Sequence, residues 1–191
     1  MLARISQSIA KNIITEDIDL PTARACAYGV EIALHTVLST SGLLLIGALF
    51  HQFIGSVIII TVYYINQTLG GGYHATSHLR CFIMMAIGLV FCMLLLRCFP
   101  AGIISQALSL GASIYLFLHP VHLHSNKKYL MSKMTSLKMK SRIAIIAIWT
   151  VTACLHLFPV SPQLVTSACI GIFVSSVSRA AGLFTAKRRK Q

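Results

Sequence analysis

Charge is scarce in this chain, and negative charge is scarcer still. Of 191 residues, 16 are Lys or Arg and four are Asp or Glu, so only 10% are charged, where a soluble domain carries roughly 25%. The four acids, Glu16, Asp17, Asp19 and Glu31, all fall in the first 31 residues, and no Asp, Glu, Lys or Arg occurs from Ile32 to Leu79. Such a gap excludes a disordered chain and a soluble nucleic-acid binder, in spite of the net charge of +12. The six cysteines are dispersed, which excludes a small disulfide-stapled scaffold. A secretory signal peptide is not expected either, because Arg4, Lys11, Glu16, Asp17 and Asp19 interrupt any apolar core in the first 24 residues.

What fills the chain is apolar: 56% of the residues are hydrophobic and the mean hydropathy is +0.78. A helix crossing ~30 Å of hydrocarbon at 1.5 Å per residue needs about 20 such residues. The uncharged runs divide into six spans near 26–49, 53–69, 82–98, 101–118, 143–159 and 164–184, with turns at His51–Gln52, Pro100 and Pro159–Pro162. A β-barrel would need period-2 alternation, which the continuous runs lack. Leu2, Ile5, Ile9 and Ile13 recur at helical spacing, so residues 1–20 read as an amphipathic interfacial helix. The expectation is an all-α integral membrane protein forming one polytopic domain over 1–191: the interfacial helix, a six-helix membrane domain over 26–184 and a basic tail over 185–191.

Lys and Arg gather in cytoplasmic segments. With both termini inside, the inner segments hold Arg4, Lys11, Arg24, Arg80, Lys127, Lys128, Lys133, Lys138, Lys140, Arg142 and Lys187 to Lys190, and Arg97 alone lies outside. Arg179, one or two turns from the inner end of the last helix, is expected to snorkel. The chain is therefore placed in the cell membrane, with residues 70–80, 120–142 and 186–191 cytoplasmic and the lipid bilayer as a partner.

Chemistry concentrates between the second and third spans, in Asn66-Gln67-Thr68-Leu69-Gly70-Gly71-Gly72-Tyr73-His74-Ala75-Thr76-Ser77-His78-Leu79-Arg80-Cys81. Gly70, Gly71 and Gly72 permit positive φ, so their N–H groups can converge on a developing oxyanion, or they can simply form a tight turn. His74 and Cys81 supply a base and a nucleophile, and a thiolate is the reactive form of cysteine. On one unbroken helix their seven-residue spacing would leave them ~10 Å apart along the axis. A working dyad therefore requires a loop or bend, expected at Ala75-Thr76-Ser77. Cys26, Cys92, Cys98, Cys154 and Cys169 read as small apolar fillers, and His35, His51 and His156 as hydrogen-bonded interface residues.

A metal reading competes. His74, His78 and Cys81 form His-x3-His-x2-Cys, and His119, His122 and His124 lie at the same face. No Asp or Glu is nearby and the flanks are cationic, which opposes a divalent ion. No metal or other cofactor is expected.

Gly71-Gly72-Tyr73-His74-Ala75 followed by Arg80-Cys81 resembles the accessory gene regulator B (AgrB) family of membrane cysteine endopeptidases. Tyr28-Gly29-Val30-Glu31 is similar to the family's Tyr-Gly-x-Glu at its first membrane segment, and Pro120 opens the long basic inner loop expected between spans four and five. The chain departs from the pattern at Gln67, where the family often carries Arg. The resemblance implies that His74 and Cys81 are the catalytic pair. It also implies that the substrate is a short cytoplasmic precursor of a quorum-sensing peptide, of the AgrD type, and that the protein is a homodimer. The Gln67 amide or the N–H groups of Gly70 to Gly72 are then candidates for the oxyanion. Glu31 and Arg80 are candidates for charge support or precursor binding, and Glu31 reads otherwise as a snorkelling interface residue.

Two other classes stand beside the peptidase: a metal-responsive transporter built on the histidine clusters, and a non-catalytic scaffold whose basic inner face recruits acidic partners. A thiol alkylating agent and a zinc chelator separate them.

Overall fold

The computed structural model describes residues 20–73, 77–98, 102–121, 134–158 and 161–188, the side chains of 20–24, 78 and 186–188 excepted. Within them lie six helices: α1 (Leu20–Leu49), α2 (Phe53–Gly70), α3 (His78–Cys98), α4 (Ile103–Leu118), α5 (Met134–Leu157) and α6 (Pro162–Arg188). Five are long and apolar enough to cross a membrane. The chain is an all-α, multi-pass membrane protein.

α4 departs from the expectation of six membrane-crossing helices. At 16 residues it is about 24 Å long at 1.5 Å per residue, short of the hydrocarbon thickness. The expected interfacial helix over 1–20 lies outside the described residues.

Three helices extend well beyond the apolar spans expected for them. α3 begins at His78, not 82, and α5 at Met134, not 143; α6 runs on to Arg188, past 184. Hydropathy registers where a helix is apolar, whereas the backbone ladder continues past that point into the interface. Lys138, Lys140 and Arg142 therefore stand on the first turns of α5 and not on a loop. Arg142 lies with its guanidinium carbon 5.0 Å from the Phe117 ring centroid and donates from Nε to the Phe117 carbonyl. Part of its charge is thus committed to joining α5 to α4.

The chain forms two compact units, one ending at Leu45 and the other beginning at Ile46. The first is the greater part of α1, in which the His35 ring lies 3.3 Å from Ser39 Oγ one turn on. Glu31 stands 11 residues into this helix, about 16 Å from its start, and is half-buried.

In the second unit α6 is central. It packs chiefly against α2 and α4, with α5 closing the group against α2, α4 and α6. Val62, Ala112, Leu116, Ile145 and Ile172 form the core cluster, one or more from each of these four helices. Close approach depends on small residues, as is usual where lipid on the outside removes the hydrophobic incentive for helices to associate. A Cβ on Gly171 would lie 2.9 Å from the Val62 Cβ, and one on Gly55 3.0 Å from Ser167 Oγ. Buried hydroxyls on α6 return to their own helix: Thr166 donates to the Pro162 carbonyl, Ser167 to Gln163 and Ser175 to Gly171. Such self-satisfaction is what a polar side chain needs where no water is available. On α3, by contrast, Ile83, Met84, Ile87, Phe91 and Leu94 are exposed, a stripe suited to acyl chains.

Arg179 overturns the snorkelling expectation. Its side chain is 1% exposed, and α6 continues nine residues beyond it. The guanidinium turns inward because a set of orphaned carbonyls lies within reach, as detailed below.

Candidate active site

The segment Gly70 to Tyr73 is a structured turn, and each glycine has its own physical reason. Gly70 closes α2 with its Cα against the Arg179 guanidinium; a Cβ there would collide with Arg179 Nη2 and come within 2.6 Å of the Pro120 carbonyl oxygen. Gly71 adopts φ 70°, ψ −175°, a region essentially reserved for glycine, and its N–H donates to the Gln67 carbonyl at 2.9 Å. Gly72 is buried and a Cβ on it would strike the Gln67 amide.

This turn is docked on α6. The Tyr73 N–H donates to the Ser178 carbonyl at 3.0 Å, and the Tyr73 carbonyl accepts from Gln67 Nε2 at 3.3 Å. Gly182 lies against the Gly72 backbone, where a Cβ would sit 2.8 Å from the Gly72 carbonyl carbon. The residue immediately preceding His74 is thus held at both of its backbone poles. His74 itself lies outside the described residues.

Cys81 occupies the first turn of α3 and is half-buried. Ser77, outside the helix, caps it: the Ser77 hydroxyl accepts the Arg80 N–H at 3.3 Å, and its carbonyl accepts the Cys81 N–H at 3.0 Å. Ser77 therefore lies before the start of the helix that carries Cys81. A helix N-terminus carries partial positive charge, which favours an anion there. Cys81 is within electrostatic range of Tyr63 on α2, whose hydroxyl lies 3.4 Å from Ser178 Oγ. Ser178 thus touches the glycine turn with its backbone and Tyr63 with its side chain.

Gln67, Gly70, Gly71 and Gly72 are together at this corner, and Arg80 is exposed one residue before Cys81. Of the candidate oxyanion donors, the Gly71 N–H and the Gln67 amide already have acceptors within the turn. Among the described residues no three His, Cys, Asp or Glu side chains converge; His74, His122, His124 and the His78 side chain lie outside them. None of the six cysteines is joined in a disulfide.

Sequence reasoning placed a bend at Ala75-Thr76-Ser77 but missed Tyr63, Ser178, Arg179 and Gly182 as parts of the site. Of these Arg179 had a signal, a cation inside an apolar helical run being a mark of function or of specific pairing. Tyr63, Ser178 and Gly182 look like ordinary membrane-helix residues until the helices are packed.

No curated protein and no solved structure matches the chain. The family model for accessory gene regulator B matches residues 2–179, nearly the whole sequence and both segments of the site. The chain therefore belongs to the AgrB family of membrane peptidases, whose membership implies processing of an AgrD-type autoinducer peptide.

Proposed function

We propose that this protein is a cysteine endopeptidase that uses His74 and Cys81 to release and cyclise a short cytoplasmic precursor. The observation that carries the reading is the placement of Cys81 on the first turn of α3, just past a turn whose last described residue, Tyr73, is held at both N–H and C=O. His74 accepts the Cys81 proton and the thiolate attacks a peptide carbonyl of the precursor. The C–N bond breaks as the imidazolium returns the proton to the leaving amine, and the rest of the peptide remains as a thioester on Cys81. A Cys or Ser within the held peptide then attacks that thioester, closing a thiolactone or lactone and regenerating the Cys81 thiol. Tethering the attacking group to the bound peptide raises its effective concentration over that of water. The Gly72 N–H, the glycine donor without an acceptor among the described residues, is the preferred oxyanion donor.

The positive-inside distribution supports a cytoplasmic side for the site, both termini and the basic start of α5, where Arg80, Lys138 and Lys140 attract an acidic stretch of the precursor. Glu31 has a supporting role in binding that peptide, and two copies of the chain form the working unit.

The test is cleavage of a synthetic precursor by the full chain in lipid vesicles. Cys81→Ala and His74→Ala are expected to abolish cleavage with insertion unchanged, while a zinc chelator has no effect. Cleavage at the wild-type rate by Cys81→Ala would end the assignment; loss on chelation, with His78→Ala as severe as His74→Ala, would favour the metal reading.

A further inference from the structure

Among the described residues of the second unit Arg179 is the largest fully buried side chain, and the hydrogen bonds it donates there all go to backbone carbonyls. Nη1 donates to the carbonyls of Leu116, His119 and Pro120 at 3.4, 3.1 and 3.0 Å, and Nη2 to that of Asn66 at 2.9 Å. The reason for this arrangement is Pro120. A proline has no N–H, so the Leu116 carbonyl, four residues earlier, loses its helical donor, and the His119 and Pro120 carbonyls lie past the end of α4. Asn66 belongs to the last turns of α2. The guanidinium thus meets the negative ends of two helix dipoles at once, which offsets part of the cost of burying its charge.

Its address matters as much as its bonds. It lies against Gly70, the first glycine of the turn; the preceding residue, Ser178, holds the Tyr73 N–H; and Gly182, three residues on, supports the Gly72 backbone. An apolar side chain would fill the same volume without a desolvated charge, but it would leave the inner ends of α2 and α4 without a common tie.

We propose that Arg179 is a positioning residue for the peptidase reaction, clamping the inner ends of α2 and α4 to α6 and so fixing the glycine turn that leads into His74. The proposal rests on His74 and Cys81 being the catalytic pair. Arg179 touches neither substrate nor thiol; it acts through Gly70 and the turn.

The experiment uses the full chain in lipid vesicles with Cys81 as its sole cysteine. It measures three things: thermal unfolding, precursor cleavage, and the rate of Cys81 alkylation by an uncharged iodoacetamide over roughly pH 5 to 9, the range in which His and Cys titrate. Arg179→Met and Arg179→Gln are expected to lower cleavage on the order of 100-fold, the effect of displacing a reacting group by about 1 Å. Their alkylation profiles should move onto that of His74→Ala. Arg179→Lys should recover part of both, because an ammonium still donates to carbonyls. Should Arg179→Met and Arg179→Gln fail to fold, the Lys variant in a Pro120→Ala background, which returns an N–H to the Leu116 carbonyl, gives the same comparison. A folded Arg179 variant with the wild-type alkylation profile and cleavage reduced only in proportion to its folded fraction would overturn the proposal. If wild type and His74→Ala show the same profile, the catalytic pair itself fails, and the role of Arg179 falls with it.

Discussion

The side-chain amide of Gln67 donates to the carbonyl of Tyr73 at 3.3 Å, across the three glycines that lie between them at the end of α2. Gln67 is the position where the chain leaves the family pattern, and its amide is committed to the turn. Its expected effect is therefore on geometry. A single neutral hydrogen bond contributes about 0.5–1.5 kcal/mol, so Gln67→Ala should slow precursor cleavage by about 2- to 10-fold. Gln67→Arg keeps a donor and should be tolerated. Gln67→Glu places a second acceptor against the Tyr73 carbonyl and should be the most damaging of the three. Steady-state cleavage in vesicles ranks them, and a rate for Gln67→Glu equal to wild type would show that the contact does not matter.

Gly71 gives a sharper test of the turn. At φ 70°, ψ −175° it lies outside the left-handed helical well that Asn and Asp tolerate, and forcing a side chain there costs about 1–3 kcal/mol. Gly71→Ala and Gly71→Asn should accordingly be equally harmful to cleavage, whereas at an ordinary left-handed turn Asn would rescue. Recovery of activity by Asn alone would mean that the turn has a different backbone path in the membrane.

Gly182 is distant from His74 and Cys81 in sequence, yet it supports the turn from α6. A Cβ would meet the Gly72 carbonyl carbon at 2.8 Å and the Tyr73 nitrogen at 3.0 Å, and backbone cannot swing aside as a flexible side chain can. Gly182→Ala is expected to push the turn away, breaking the bond from the Tyr73 N–H to Ser178. Cleavage should fall at least 10-fold, by the reasoning that displacing reacting groups by about 1 Å is costly, while alanine's better helix propensity, worth up to about 1 kcal/mol over glycine, partly offsets the loss in thermal stability. Equal percentage losses of activity and folded protein would argue against a role in positioning.

Much of the architecture could be read from the sequence because bilayer thickness imposes a length on apolar runs: five of the six expected spans coincide with long apolar helices. The ends were less legible. Charges at Lys138, Lys140 and Arg142 suggested a loop, but a helix in the interface accommodates charge without stopping. The cluster Gln67, Gly70, Gly71, Gly72 and Cys81 stood out since glycine runs and a thiol beside Arg80 are unusual at a membrane surface. Its supports did not. Ser178 acts through a backbone carbonyl and Gly182 through the absence of a side chain, so neither residue type carries a signal. Arg179 did carry one, but the snorkelling rule assumes that water is the best partner in reach. Pro120, by removing the donor to Leu116, supplies a better one in the interior.

The cap on α3 allows the electrostatics at Cys81 to be varied separately from the fold. Ser77 accepts the Arg80 N–H through its hydroxyl and the Cys81 N–H through its carbonyl, so Ser77→Ala removes the first bond and should lower stability by about 1 kcal/mol. Ser77→Asp restores a side-chain acceptor and adds a charge that complements the helix dipole, so stability should return to the wild-type value or slightly above. The same carboxylate stands one turn from Cys81, however, and a like charge disfavours formation of a thiolate. Its sign is opposite for the two properties: the helix gains from the anion and the nucleophile loses. Ser77→Asp should therefore be as stable as wild type, with slower cleavage and slower Cys81 alkylation near neutrality, both recovering as the pH is raised; Ser77→Asn, neutral and equally capable of capping, should behave as wild type in each measurement. If Ser77→Asp left the alkylation profile unmoved, the thiol would be shielded from the helix N-terminus, and stabilisation of the thiolate by that end of α3 would have to be given up.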